Sequence, residues 1–169
     1  MQLPSAKPTL HYLDIGSLGR GEVIRLFLRD AGVEFNDIRY PYDSSWPATS
    51  TELKEKGLSV TGKVPVLEYE GKILHQIEWV KNIGNVTENF KNEFVPNYYG
   101  LLEGSYAQHD GPYLLGEKIT YADFAIYQSI HNNIKIGASS AFLQDHLARF
   151  KAAFEARPNI VAYLVSRDA

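Results

Sequence analysis

Length, composition and charge exclude several classes of protein. The 169 residues are 44% hydrophobic and 22% charged, the composition of an ordinary globular protein. The net charge of −3 gives no general basic field for nucleic acid or anionic lipid, and the lack of cysteine excludes disulfides, thiolate metal ligands and cysteine-based catalysis. Because we find neither a membrane-length apolar run nor a signal-peptide pattern, we predict a cytoplasmic protein with no nucleic acid and no membrane as partners.

The first half of the chain carries the pattern of an α/β domain. Residues 9–14 form a short apolar run typical of a buried strand, and the apolar side chains of residues 20–31 fall at helical spacing. Residues 34–40 alternate as a half-buried strand does, and residues 61–76 predict two strands joined by a Glu-Gly turn. This order predicts a mixed four-stranded sheet with a crossover helix.

Two polar features of this half interrupt its apolar pattern. In the predicted helix, Arg25 and Arg29 fall on the face opposite the apolar side chains. Residues 41–62 are rich in Ser, Thr and Pro, which predicts a long connection with one helical turn around residues 51–56.

The entry to the hairpin is unusual because Pro65 follows Val64. Proline has no N–H, so it belongs at the edge or entry of a strand. The Val64–Pro65 bond is a candidate cis bond. In that geometry we expect the N–H and C=O of Val64 to be free to pair with an extended peptide ligand.

The second half of the chain shows only helical spacing. Helices are predicted at residues 90–106, 121–134, 143–157 and 160–166. Thr120 and Asp123 begin the second of these helices as a capping box, with Ile119 and Phe124 as its hydrophobic staple. We therefore predict an α/β domain over residues 1–77 and an all-α domain over residues 78–169.

Five parts of the chain together carry a family signature. They are Leu10–Leu13 with Gly19–Arg25, Trp46, Lys63–Pro65 with Gln76, Pro112–Asp123, and Ala156–Ile160. In these segments the chain resembles the glutathione transferases, most closely tyrosine-type members of the sigma and fungal kinds, and the resemblance covers nearly the whole chain. It implies a thioredoxin-like N-terminal domain that binds glutathione, followed by an all-helical C-terminal domain.

The chain departs from the family pattern after Gln76. Family members continue with a serine that begins a long helix, whereas here Ile77-Glu78-Trp79 follows and no such helix is recognised. The chain is several dozen residues shorter than family members at this point. Loss of the serine removes a hydroxyl and helix N-terminal N–H groups suited to the γ-glutamyl carboxylate of glutathione.

The resemblance implies an enzyme in which glutathione is the co-substrate. Its thiolate would attack a hydrophobic electrophile, and no protein nucleophile is required, which agrees with the lack of cysteine. A homodimer is the implied possible assembly. The alternative, favoured by the missing serine and helix, is a non-catalytic glutathione transferase-like protein that keeps the fold for binding or assembly.

The resemblance also assigns the site residues. Tyr12 is expected to donate a hydrogen bond to the glutathione sulfur, with Ser17 in the following turn as the alternative donor. The residues expected to contact the peptide part of glutathione are Arg20, Trp46, Lys63, Val64, Pro65 and Gln76.

Several of these residues have a structural alternative. Tyr12 can be an ordinary half-buried strand aromatic, and Arg20 can pair with Glu22 rather than with a carboxylate of the ligand. Trp46 can pack within its loop, and Gln76 can be a polar residue at a strand end. No metal is expected, because none of the five histidines has a partner at the spacing of a metal site.

Overall fold

A computed structural model describes residues 7–75 and 88–167 of the chain. The chain divides into two compact units, residues 1–80 and 81–169. The predicted domain boundary between residues 77 and 78 lies outside the described residues. Within the described ranges, no helix combines the length and the apolar character needed to cross a membrane.

The first unit is built on a mixed four-stranded sheet. Its strands are β1 (Thr9–Leu13), β2 (Asn36–Tyr40), β3 (Val66–Tyr69) and β4 (Lys72–His75), in the spatial order β2-β1-β3-β4. Strand β1 is parallel to β2, to which helix α1 (Arg20–Asp30) connects it, and antiparallel to β3, which pairs antiparallel with β4. The predicted mixed sheet with a crossover helix is confirmed.

The central strand β1 contributes to two apolar clusters. Leu10 packs with Leu28 of α1 and with Phe35. The second cluster, which we call the Tyr12 cluster, has five buried members: Tyr12, Leu13, Leu53, Val64 and Val66. Because the Tyr12 cluster includes residues from β1, β3 and the chain before β3, it fixes the position of the hairpin entry relative to β1.

The connection between β2 and β3 is more ordered than the sequence predicts. In place of one helical turn, helix α2 spans Trp46–Glu55, with Pro47 in its first turn, where a missing N–H is tolerated. Leu53 is the one buried residue among its ten. Apolar periodicity therefore gave no signal for this helix, because only one of its side chains is buried.

The second unit is helical. Its elements are a π-helical turn (Phe90–Phe94), α3 (Val95–Tyr106), α4 (Tyr121–Lys135), a 3-10 turn (Ser140–Phe142), α5 (Asp145–Glu155) and α6 (Pro158–Arg167). An aromatic core joins α4 and α5, in which the Phe154 ring lies 4.1 Å from the Tyr127 ring and 5.2 Å from the Phe124 ring between centroids. The predicted helices and the predicted capping box at the start of α4 are present.

Candidate functional site

Tyr12, the predicted thiol-activating residue, lies against the first turn of α1. It is the fourth residue of β1 and is 0% exposed. The backbone N–H of Arg20, the first residue of α1, donates a hydrogen bond to the Tyr12 hydroxyl at 3.0 Å. Helix α1 follows Gly19 and has no side-chain cap, so the phenol oxygen satisfies one of the N–H groups that a helix start leaves open.

Two glycines allow the helix to approach the ring this closely. A Cβ atom on Gly21 would lie 2.2 Å from Cγ of Tyr12, and one on Gly19 would lie 2.3 Å from its hydroxyl oxygen. Both distances are far shorter than van der Waals contact between heavy atoms. The Gly-Arg-Gly sequence at the start of α1 is therefore required by the packing of Tyr12.

The Tyr12 hydroxyl carries its proton at neutral pH. Burial raises the pKa of the phenol above its ordinary value of 10, and the N–H groups of Arg20 and Gly21 and the charge of Arg25 oppose this only in part. A phenol that stays protonated can donate a hydrogen bond to an anion but does not serve as a base. Among the residues that the structure describes, none accepts the phenolic hydrogen.

A buried ion cluster beside Tyr12 was not anticipated from the sequence. The predicted position of Arg25 on the polar face of the helix is wrong, because its side chain is 1% exposed. Its guanidinium donates to Asp37 of β2 at 3.0 Å and to Glu22 at 3.2 Å, and its Cζ lies 5.6 Å from the centre of the Tyr12 ring. The Glu22–Arg25 spacing was a usable signal, but the pairing with Asp37 depends on the strand register.

Charge in this cluster is compensated by close pairing. Burial alone would raise the pKa of Asp37, but the hydrogen bonds and charges of Arg25 and Arg39 outweigh it and hold the pKa below its usual value. The arginine is thus held between two carboxylates, which makes its burial tolerable. Together they fix α1 on β2 beside the Tyr12 ring.

Ser17 and Arg20, two other predicted ligand contacts, lie close to the start of α1. Ser17 is partly exposed in a turn in which the Leu18 N–H donates to the Ile15 C=O at 3.3 Å. Arg20 is partly exposed at the first position of α1. Glu22, the alternative partner of Arg20, is fully buried within the ion cluster.

The hairpin entry forms the second part of the candidate site. The candidate cis bond between Val64 and Pro65 is confirmed. The Val64 side chain is buried in the Tyr12 cluster, yet within residues 7–75 its backbone N–H and C=O make no hydrogen bond. Lys63 is exposed, and Trp46 packs, partly buried, against the Tyr12 cluster. The structure therefore brings Tyr12, Val64 and Trp46 together in the first unit.

The neighbouring residue in β1, His11, is part of a hydrogen-bonded network. Its Nε2 lies 2.7 Å from Oε1 of Glu68, and its Nδ1 lies 2.7 Å from the Tyr40 hydroxyl. The network links the three strands β2, β1 and β3 through side chains. In the described part of the chain, no group of three or more His, Asp and Glu side chains is arranged to hold a metal ion.

Comparison with known proteins identifies sequence relatives. Residues 78–167 match the family model described as Glutathione S-transferase, C-terminal domain. The chain is 26% identical to Glutathione S-transferase P 10 of Caenorhabditis elegans, in an alignment that covers 97% of this chain and 93% of the relative. That alignment has 204 positions against 169 residues here, so at least 35 positions have no counterpart in this chain. Gln76 and Ile77, where the sequence predicts the missing segment, lie outside the described residues.

Solved structures share the fold. The Pi-class glutathione S-transferase of Onchocerca volvulus superimposes with a TM-score of 0.78 at 18% identity, covering 96% of this chain and 94% of the other. The glutathione S-transferase of Ascaris lumbricoides superimposes with a TM-score of 0.73 at 24% identity, covering 96% and 98%. With a family match over more than half of its residues, this chain belongs to the glutathione S-transferase family.

Proposed function

We propose that this chain is a glutathione transferase whose first unit binds glutathione and stabilises its thiolate for attack on a hydrophobic electrophile. Family membership supports glutathione as the co-substrate. The observation that carries the proposal is the pairing of two features in the Tyr12 cluster. Tyr12 offers a protonated hydroxyl, and Val64 offers backbone groups without a partner within residues 7–75. A tripeptide thiol needs both a donor for its sulfur and a surface for its backbone.

The peptide part of glutathione is proposed to pair with Val64 as an added strand. In this mode the ligand accepts from the Val64 N–H and donates to its C=O. The exposed ammonium group of Lys63 and the indole N–H of Trp46 are suited to a carboxylate of the ligand, as is the guanidinium of Arg20. Gln76 is proposed to contact the γ-glutamyl group of glutathione.

The sulfur is proposed to accept a hydrogen bond from Tyr12. The thiol releases its proton to solvent, the sulfur electron pair forms a bond to the electrophilic carbon, and the leaving group departs with its bonding electrons. Because the Tyr12 oxygen already accepts the Arg20 N–H, its own O–H is polarised and is a stronger donor. Donation to the thiolate lowers the pKa of the thiol by favouring its charged form.

Tyr12 and Ser17 differ in how accessible their hydroxyl groups are to a bound sulfur. Tyr12 has no exposed surface, and Gly19 lies directly against its oxygen, so contact with a bound sulfur requires the turn before α1 to move. Ser17 lies in that turn and is partly exposed, so it needs no such movement. Chemistry therefore favours Tyr12 as the donor, and exposure favours Ser17.

The test measures the pKa of the bound glutathione thiol from the pH dependence of its thiolate absorbance. It is made on the parent protein, on Tyr12→Phe and on Ser17→Ala. In the parent we expect this pKa to fall from about 8.5 for a free thiol to about 7 or lower. Loss of the shift in Tyr12→Phe, with glutathione affinity retained, identifies Tyr12 as the donor. Loss of the shift only in Ser17→Ala identifies the serine, and a normal thiol pKa in the bound parent contradicts the catalytic proposal.

The sealed position of Tyr12 also supports a second candidate, a non-catalytic glutathione-binding protein. In that case the phenol serves only to hold the start of α1, as its bond to the Arg20 N–H allows. Saturable binding of glutathione without any conjugation of an aromatic or aliphatic electrophile would favour this candidate.

Family membership supports a proposal for assembly and location. We propose a cytoplasmic homodimer. Sedimentation velocity over a range of protein concentrations tests the dimer, since a monomer at every concentration would contradict it.

A further inference from the structure

Two serine hydroxyls clamp the loop that leads into Val64. We infer that Ser59, assisted by Ser50, is the positioning residue that aims the Val64 N–H at a bound peptide. The inference rests on the proposed function, because it assumes that glutathione pairs with Val64. Neither serine is among the site residues that the family resemblance assigns.

Ser59 is buried in the chain just after α2, and it holds the loop through both its backbone and its side chain. It is 1% exposed, and its N–H donates to the Leu53 C=O of α2 at 3.0 Å. Its hydroxyl donates to the Lys63 C=O at 2.7 Å and accepts from the Lys63 N–H at 2.9 Å. One side chain therefore ties both backbone groups of Lys63 to the end of a helix, and only a group that donates and accepts at once can do so.

Ser50 holds the preceding residue of the same loop. Its hydroxyl donates to the Gly62 C=O at 2.8 Å. Gly62 has a φ of +70°, and a Cβ atom there would lie 2.4 Å from the Ser50 Oγ, so no other residue fits against this serine without a shift. The peptide unit between Gly62 and Lys63 is consequently held at its C=O by Ser50 and at its N–H by Ser59.

The geometry of the next peptide unit sets the direction of the Val64 N–H. The Lys63 C=O and the Val64 N–H belong to one planar trans unit, in which the two groups point in opposite directions. Because Ser59 binds the C=O, the Val64 N–H points away from Ser59. Within residues 7–75 no hydrogen-bond partner holds that N–H, and in the proposed complex it donates to a carbonyl of the ligand.

The test compares glutathione affinity and turnover in Ser59→Ala, Ser50→Ala and a control, Ser166→Ala. The control removes a hydroxyl that donates to one backbone carbonyl, that of Tyr163, on an exposed part of α6. We measure Kd by calorimetry, and KM for glutathione and kcat with a chloronitroarene electrophile. In Ser59→Ala we expect Kd and KM to rise about tenfold with kcat within about twofold, since the loss falls on peptide binding. Ser50→Ala should show about a threefold rise and the control none.

The outcomes separate the inference from the proposed function. An unchanged Kd in folded Ser59→Ala, with the parent binding glutathione, overturns the inference and leaves the proposed function standing. A fall in kcat equal to that in kcat/KM also overturns it, because the serine would then act on the reacting sulfur. If Ser59→Ala does not fold, an unchanged Kd in Ser50→Ala decides against the clamp. Failure of the parent to bind glutathione overturns the proposed function and the inference with it.

Discussion

The N–H groups at the starts of helices α1 and α4 find their hydrogen-bond acceptors in different ways. At the start of α4, the buried carboxylate of Asp123 accepts from the Thr120 N–H and hydroxyl, each at 2.8 Å. It also accepts from the Leu114 N–H and the Tyr106 hydroxyl, each at 2.9 Å. At the start of α1 the N-cap residue, Gly19, has no side chain to act as a cap. The acceptor of the Arg20 N–H is instead the neutral phenol of Tyr12, which lies in β1.

Under the proposed function, this difference separates a structural helix start, that of α4, from one that binds a ligand, that of α1. At α4 a full negative charge already meets the positive end of the helix dipole and is saturated with donors. At α1 the acceptor is neutral, and an anion such as a thiolate can still be stabilised there. The four predictions below test this comparison.

The largest effect is expected at the saturated helix start. Replacing Asp123 by Ala leaves the buried Tyr106 hydroxyl and Leu114 N–H without an acceptor, so we expect the free energy of unfolding to fall by about 3–5 kcal/mol. Urea denaturation followed by far-ultraviolet circular dichroism measures it. Asp145→Ala, at an exposed first-turn position of α5, is the matched control and should change little. Equal losses in the two variants would contradict a special role for the buried carboxylate.

The next effect tests the close approach of α1 to Tyr12. In Gly21→Ala the added Cβ would lie 2.2 Å from the Tyr12 ring, so we expect a loss of about 2–3 kcal/mol from displaced packing. Gly104→Ala is the opposite case, because a Cβ atom added there, within α3, would meet nothing within 4 Å. There we expect a gain of about 0.5–1 kcal/mol from the better helix former. Thermal unfolding of both variants gives the sign directly, and a stabilised Gly21→Ala would refute the described packing.

Local signals allowed the sequence to predict one helix start but not the other. The capping box at Thr120 and Asp123 lies within four residues, so its chemistry can be recognised without knowledge of the fold. The start of α1 depends on contacts between Tyr12 and the glycines after an intervening turn. A turn of unknown shape separates them, so the burial of the phenol could not be foreseen.

Long-range pairing explains the other differences between prediction and structure. Arg25 has the spacing of a surface residue in α1, and only the register of β2 beside β1 brings Asp37 to it. No sequence pattern predicts the clamp by Ser59 either, since a serine four residues before Lys63 is ordinary in a polar loop. By contrast, the mixed sheet with its crossover helix followed from the order of strand and helix patterns along the chain, and the Val64–Pro65 entry from the chemistry of proline.

The third prediction concerns pH, and it tests the ion cluster that holds α1 beside Tyr12. The pKa of Asp37 is lower in the folded chain than its ordinary value of 3.8, so its stabilising contribution is complete above about pH 4 and is lost as the pH falls through the folded value. Asp37→Asn should lower the free energy of unfolding by about 2 kcal/mol at pH 6, with the difference from the parent shrinking below pH 4. Urea titrations at pH 6 and pH 3 measure it. A difference that does not change with pH would mean that the carboxylate charge is not what stabilises this contact.

The smallest change in stability is expected for the substitution of Tyr12, the acceptor at the start of α1. Tyr12→Phe removes one oxygen from a fully buried ring, so the core volume is kept and only the acceptor of the Arg20 N–H is lost, at a cost of about 1 kcal/mol. If the start of α1 is a ligand site, this small loss accompanies a fall in turnover of about 10²-fold, the usual effect of removing one donor to a developing anion. If the phenol is only a cap, stability falls by the same amount while turnover stays within about twofold. Unfolding and kinetics measured on one preparation therefore separate the two roles, because a structural cap and a thiolate donor differ in turnover and not in stability.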